Sequence, residues 1–191
     1  MKQKFNFLII FISLFFIACG DDRIDSSVIS GGSNMSKEAK EIEQNLDKHS
    51  YADLADVFLD TKDIRFDKEV LIIFGKNNCK YCDMLKDIIK KDDELKAMIK
   101  DNFNPYYINI SYSKIHNIDF MNKKAQLSTN NLASIFSASS TPTIVFLSKD
   151  GSVKYIYPGF SPKFDSLVKE VISKNSSMGS YEAIDSALKK L

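Results

Sequence analysis

The sequence predicts an α/β fold, a central mixed β-sheet flanked by helices and preceded by an N-terminal helical extension. Three observations carry that expectation. Val70-Leu71-Ile72-Ile73-Phe74 is an apolar run without polar alternation, the pattern of a central strand buried on both faces of a mostly parallel sheet. A polar turn follows, and Cys79-Lys80-Tyr81-Cys82 then leads into a helical apolar stripe. Two further strand-like runs, Pro105-Tyr106-Tyr107-Ile108-Asn109-Ile110 and Thr143-Ile144-Val145-Phe146-Leu147, alternate with helical segments, as layered α/β architecture requires.

Composition narrows the function classes. The chain has 191 residues and a formal charge of +1, which becomes −1 if Lys2 and Lys4 leave with the first eighteen residues. That length fits one globular domain with extras, expected here as a monomer. Near-neutral charge without a basic stripe argues against a nucleic-acid partner. No internal repeat or phosphate-binding glycine loop is present.

Taken in order, the chain opens with Lys2 and Lys4 and an apolar stretch over residues 5–17 broken by Asn6 and Ser13. The stretch is shorter than the ~20 residues that span a bilayer, so residues 1–18 read as an export signal. Phe16-Ile17-Ala18-Cys19-Gly20 resembles a bacterial lipoprotein cleavage box, with Phe16 where Leu is usual. The resemblance implies lipidation of Cys19 and anchoring on the periplasmic side of a membrane, several acyl chains making the attachment stable. A plain secretory signal cut near Ala18 is the alternative. Residues 19–35 are small and polar and form a tether, whose ~15 flexible residues reach about 20 Å. Residues 36–69 read as the helical extension. One helix starts at Ser36-Lys37-Glu38-Ala39, and a second covers about 51–59 with Leu54, Ala55, Phe58 and Leu59 on one face.

Residues 70–175 form the main domain. Asn77 and Asn78 supply N-cap chemistry for the helix after them. Cys79 falls in its first turn, where free backbone N–H groups and the positive end of the helix dipole favour a thiolate. Cys82, at i+3, lies one turn deeper on nearly the same face, within reach of a disulfide after small adjustment. An exposed Cys79 thiolate therefore attacks a substrate disulfide and Cys82 resolves the mixed disulfide, with Lys76 and Lys80 adding positive charge. Leu85, Ile88, Ile89, Leu95, Met98 and Ile99 continue one helical stripe to about Asp101. Residues 111–127 read as an irregular excursion, on the surface or facing substrate, with His116 exposed to solvent. Ser128 caps a short helix to about Ser137, Lys149-Asp150-Gly151 makes a hairpin turn, and Val153-Lys154-Tyr155-Ile156-Tyr157 alternates as an antiparallel edge strand. The last helix covers 163–173 with Phe164, Leu167, Val168, Val171 and Ile172 inward. Residues 176–191 form a tail whose end reads as helical.

This order of elements resembles the thioredoxin fold over about residues 70–174. The motifs that carry the resemblance are Cys79-Lys80-Tyr81-Cys82, Thr141-Pro142-Thr143 farther along, and Gly159 before the last helix. It implies a thiol-disulfide oxidoreductase without a cofactor, acting on protein disulfides and supplied by a thiol-type electron donor in the membrane. It also implies a cis bond between Thr141 and Pro142, with the Thr141 backbone ready to pair with an extended substrate. Tyr81 before the second Cys and Thr141 before the Pro are more similar to periplasmic disulfide isomerases and thioredoxin-like lipoproteins than to cytosolic thioredoxin, whose W-C-G-P-C is missing. The buried Asp that thioredoxins carry before the first Cys is replaced by Ile73. Residues 35–69 are too short for the dimerisation domain of those isomerases, so the expected direction is reductase. Lys76 and Lys80 pull the other way, because a stabilised thiolate raises the potential.

Metal readings compete with this one. Zinc needs four ligands at characteristic spacing, whereas here one C-x-x-C stands with His49 and His116 far apart in sequence, so no metal is expected. The stronger rival is a Cu(I) metallochaperone holding the ion between the thiolates of Cys79 and Cys82.

Overall fold

The structure, a computed structural model, describes residues 46–120 and 123–174. The expectations for residues 1–18, for lipidation at Cys19, for the tether, for the helix starting at Ser36 and for the tail lie outside the described residues. In chain order the elements are β1 (Asp63–Arg65), β2 (Glu69–Gly75), α1 (Lys80–Lys91), α2 (Asp93–Asn102), β3 (Phe103–Asn109), β4 (Ile115–Phe120), β5 (Lys123–Ser128), α3 (Thr129–Ile135), β6 (Thr143–Leu147), β7 (Val153–Pro158) and α4 (Phe164–Ser173).

The apolar run at Val70 to Phe74 is the heart of β2, and every one of its side chains is buried. Leu71 and Ile73 pack with Leu85, Ile89, Leu95, Ile99, Phe164 and Val168 from α1, α2 and α4. Val70, Ile72 and Phe74 pack with Ile118, Phe120, Leu127, Leu132 and Phe136 on the opposite face. Two apolar cores, one on each face, explain the lack of alternation; each fully buried side chain stabilises the fold by about 1.5–3 kcal/mol. The sheet runs β3-β2-β6-β7. It is mixed, as the predicted fold class has it: β2 is parallel to β3 but antiparallel to β6, and β6 is antiparallel to β7.

Three sequence expectations give way here. The helical stripe to Asp101 is two helices, because Asp92 turns out of the helix (φ −119°, ψ 99°) and its carboxylate accepts the Leu95 N–H at 2.9 Å, capping α2. Both helices still send apolar residues into one core, which is why the stripe reads as continuous. The irregular excursion over 111–127 is instead β4 and β5, forming with β1 a second sheet of order β1-β4-β5. Its Ile118, Phe120 and Leu127 close the second core. The helix expected over 51–59 is only a 3-10 turn at Ala52–Leu54, preceded by helical residues 46–49. Tyr51, Leu54, Val57 and Phe58 are buried nonetheless, and the backbone at Leu59 bridges in parallel to Tyr106, covering that edge of β3.

Candidate functional site

The chain leaves β2 at Gly75, whose carbonyl accepts the Ile110 N–H at 2.8 Å. Asn78 takes a left-handed conformation, φ 54°, which Asn tolerates better than most side chains. That turn moves the helix cap one residue past the expected asparagines. Cys79 is itself the N-cap of α1, and its Sγ accepts the Cys82 N–H at 3.2 Å. Asn77 is occupied elsewhere: its N–H donates to Ser111 Oγ at 2.9 Å, its Oδ1 accepts from Asn109 Nδ2 at 2.8 Å, and its Nδ2 donates to the Tyr112 hydroxyl at 2.9 Å.

Cys79 and Cys82 are joined in a disulfide, S–S 2.07 Å and Cα–Cα 5.2 Å. Cys79 is less open than expected, 6% exposed against 1% for Cys82, because the Pro142 loop lies against it. The Thr141–Pro142 peptide is cis, as the resemblance implies, and the Thr141 carbonyl oxygen is 3.6 Å from Cys79 Sγ. The loop is fixed from behind. Pro142's carbonyl accepts the Gly159 N–H at 2.7 Å, and Thr143 Oγ1 donates to the Ser140 carbonyl at 2.6 Å. Gly159 sits at φ +104° with open space where a Cβ would be, so backbone conformation rather than room calls for glycine. Thr141 Oγ1 is buried without a hydrogen-bond partner. Lys76 and Lys80 are exposed. Tyr81, 57% exposed, stacks on Phe160 with ring centroids 6.0 Å apart, placing an apolar shelf beside the disulfide.

Beneath α1, Ile73 lies in register with Tyr107. The Tyr107 hydroxyl fills the space over Gly75, where a Cβ would stand 2.0 Å from it. Burial pushes the Tyr107 hydroxyl well above its usual pKa, and the Asp83 charge adds to the effect. Lys86, one turn after Cys82, lies 5.6 Å from the centre of the Tyr107 ring, pairs with Asp83 at 3.0 Å and donates to the Ser50 carbonyl at 2.8 Å. Asn109, Ser50 and Lys86 carry no sequence motif; the only signal was a polar Asn after the apolar Tyr106-Tyr107-Ile108. His116 is not the exposed loop residue expected. It is 0% exposed, held by Thr61 and Thr129 rather than by the cysteines. Among the described residues, no three His, Cys, Asp or Glu side chains gather as a metal site.

With this geometry in view, comparisons with known proteins are specific. The chain matches the family described as a thioredoxin-like domain over residues 65–171. It is similar to a thioredoxin-fold protein from Helicobacter pylori at 36% identity, covering 75% of this chain and 97% of that one, with a TM-score of 0.64. A thioredoxin from Malassezia sympodialis matches at 20% identity over 55% of this chain and 75% of that one, TM-score 0.38. A thioredoxin-like protein from Clostridium perfringens matches at 19% identity over 63% and 88%, TM-score 0.41. No curated protein sequence matches the chain.

Proposed function

Because the chain belongs to the thioredoxin-like family, we propose that it is a thiol-disulfide oxidoreductase, exported and held at a bacterial membrane through Cys19, that reduces disulfides in periplasmic proteins. The observation that carries this reading is the disulfide-forming pair capping α1 beneath the Thr141–Pro142 loop. In the reduced protein the Cys79 thiolate accepts the Cys82 N–H and sits at the positive end of the helix dipole, both of which favour the charged sulfur. It attacks one sulfur of a substrate disulfide, forming a mixed disulfide and releasing a thiolate that takes up a proton. Cys82 then loses its proton, attacks Cys79 Sγ and releases the second substrate thiolate. Two electrons pass to the substrate, and the protein is left with the Cys79–Cys82 disulfide. A dithiol donor protein in the membrane restores the reduced form by the reverse exchange. The Thr141 backbone is the element that pairs with an extended substrate, and Tyr81 with Phe160 forms its apolar shelf. A monomer on a short tether suits that work, in keeping with periplasmic thioredoxin-like lipoproteins.

The test is insulin-disulfide reduction with a dithiol supply by wild type, Cys79→Ser and Cys82→Ser. Wild type should turn over, both variants should fail, and only Cys82→Ser should accumulate mixed disulfides. Equal rates in all three defeat the reading. A tight one-to-one Cu(I) complex that needs both cysteines, with no turnover, would favour the metallochaperone. Direction is decided by redox titration against glutathione: a potential near about −270 mV supports a reductase and one near about −120 mV an oxidant.

A further inference from the structure

The matched family region begins at residue 65, yet the described chain before it reaches into the redox site. Ser50 makes three contacts at one point. Its hydroxyl accepts from Asn109 Nδ2 at 2.6 Å. Its carbonyl accepts from Lys86 Nζ at 2.8 Å. Its N–H donates to the Asp47 carbonyl at 3.0 Å, anchoring it within the extension. Asn109, buried at the end of β3, passes the connection on: the same amide nitrogen donates to Asn77 Oδ1 at 2.8 Å, and its Oδ1 accepts the Ser111 N–H at 2.9 Å. Asn77 belongs to the loop that delivers Cys79, and Lys86 belongs to the helix that Cys79 caps. One residue of the extension is thus linked to both segments that set the Cys79 geometry, to the loop through Asn109 and to the helix through the Lys86 side chain. The buried amide has both N–H groups committed, which fixes the loop more tightly than exposed turn bonds do.

We infer that Ser50 and Asn109 are positioning residues for Cys79, so that the extension before residue 65 is part of the redox site and not a spacer. The inference rests on the redox reading of Cys79 and Cys82. Its physical content is the cap: the Cys79 Sγ to Cys82 N–H bond is made only while the loop at Asn77 and Asn78 holds Cys79 at the N-cap. Slackening the loop weakens that bond and removes stabilisation from the thiolate more than from the thiol, since charged acceptors form the stronger hydrogen bonds.

The experiment follows iodoacetamide alkylation of Cys79 against pH in the reduced full chain, with the modified residue located by peptide mass. Wild type, Ser50→Ala, Ser50→Thr, Asn109→Ala and the Ser50→Ala/Asn109→Ala pair are compared. Ser50→Ala and Asn109→Ala should each move the alkylation midpoint to higher pH, lowering the thiolate fraction at neutral pH by about fivefold, the size of a typical N-cap interaction. Ser50→Thr keeps the acceptor and should behave as wild type. The pair should fall no further than Asn109→Ala alone, because both changes cut one chain of bonds. Midpoints in folded Ser50→Ala and Asn109→Ala equal to wild type would overturn the inference, as would a Ser50→Thr midpoint that moves with Ser50→Ala. A wild type without insulin turnover, but with the midpoint shifts intact, would overturn the proposed activity and leave the positioning role standing.

Discussion

Replacing His116 by Leu isolates a buried polar contact that the redox chemistry does not use. The neutral imidazole donates from Nδ1 to the Thr61 carbonyl at 2.6 Å, and its Nε2 accepts from the Thr129 hydroxyl at 2.9 Å. Leu nearly fills the volume but leaves the Thr61 carbonyl without the ring's N–H. The Thr129 hydroxyl still accepts the Lys114 N–H at 3.0 Å and turns its one proton to the Lys114 carbonyl at 3.3 Å. One stranded buried acceptor costs about 1–3 kcal/mol, which for a domain of this size lowers Tm by roughly 3–12 °C. The pH dependence carries the sign. Burial holds the His116 pKa below that of a free imidazole, and the nearby Lys114 charge adds to it. The hydrogen bond with Thr61 and the Asp47 and Asp60 charges oppose the shift. The stability His116 contributes is therefore complete above its unfolded pKa of about 6.5 and is lost as pH falls through its lower folded value. Burial acts to raise the Asp60 carboxyl, but hydrogen bonds from Lys48, the Lys62 N–H and Lys114 hold it well below the carboxylate range. Its contribution thus fades only in stronger acid, leaving the window from pH 7 to 5 to His116. Thermal unfolding followed by circular dichroism at pH 7 and pH 5 should show the His116→Leu deficit shrinking at pH 5. A deficit that is constant or grows, or a folded variant unable to reduce insulin, would refute this account.

Two other outcomes follow from the geometry. Asp92→Ala removes the cap on α2 made by the Asp92 carboxylate to Leu95 N–H and should cost about 1 kcal/mol in urea unfolding, with little change in insulin turnover. Tyr81→Ala removes the exposed ring stacked on Phe160 and should raise KM for a protein disulfide roughly tenfold, the size expected of an aromatic anchor. A larger loss in kcat than in KM would mean that Tyr81 acts on the sulfurs instead.

The parts of the fold legible in the sequence were those whose pattern has a single physical cause. An unbroken apolar run at Val70 to Phe74 needs two buried faces, and the sheet supplies both. The C-x-x-C pair was legible from its spacing at a helix start and Thr141 before Pro142 through resemblance, and the structure brings the Thr141 carbonyl beside Cys79. What escaped depended on contacts distant in sequence. Residues 115–120 alternate correctly for a strand, but the polar residues at 116, 117 and 119 obscured it. His116 is inward because Thr61 and Thr129, far along the chain, satisfy its ring. Asn77 and Asn78 had the chemistry of caps; only the turn at Asn78 and the claim of Asn109 on Asn77 pass that role to Cys79. Ser50 lies just before the helix expected over 51–59, and nothing in its neighbourhood of the sequence announces Asn109 or Lys86.

The unequal exposure of the two sulfurs has a kinetic consequence. With Cys82 only 1% exposed and Cys79 6% exposed, a donor and a substrate in the proposed exchange would both have to meet the protein at Cys79. The two could not occupy that one sulfur together, so in that exchange each would act as a competitive inhibitor of the other's half-reaction. On the proposed reading, turnover would then be a double displacement in which the protein departs from one partner before meeting the next, its throughput governed by how quickly each partner lets go.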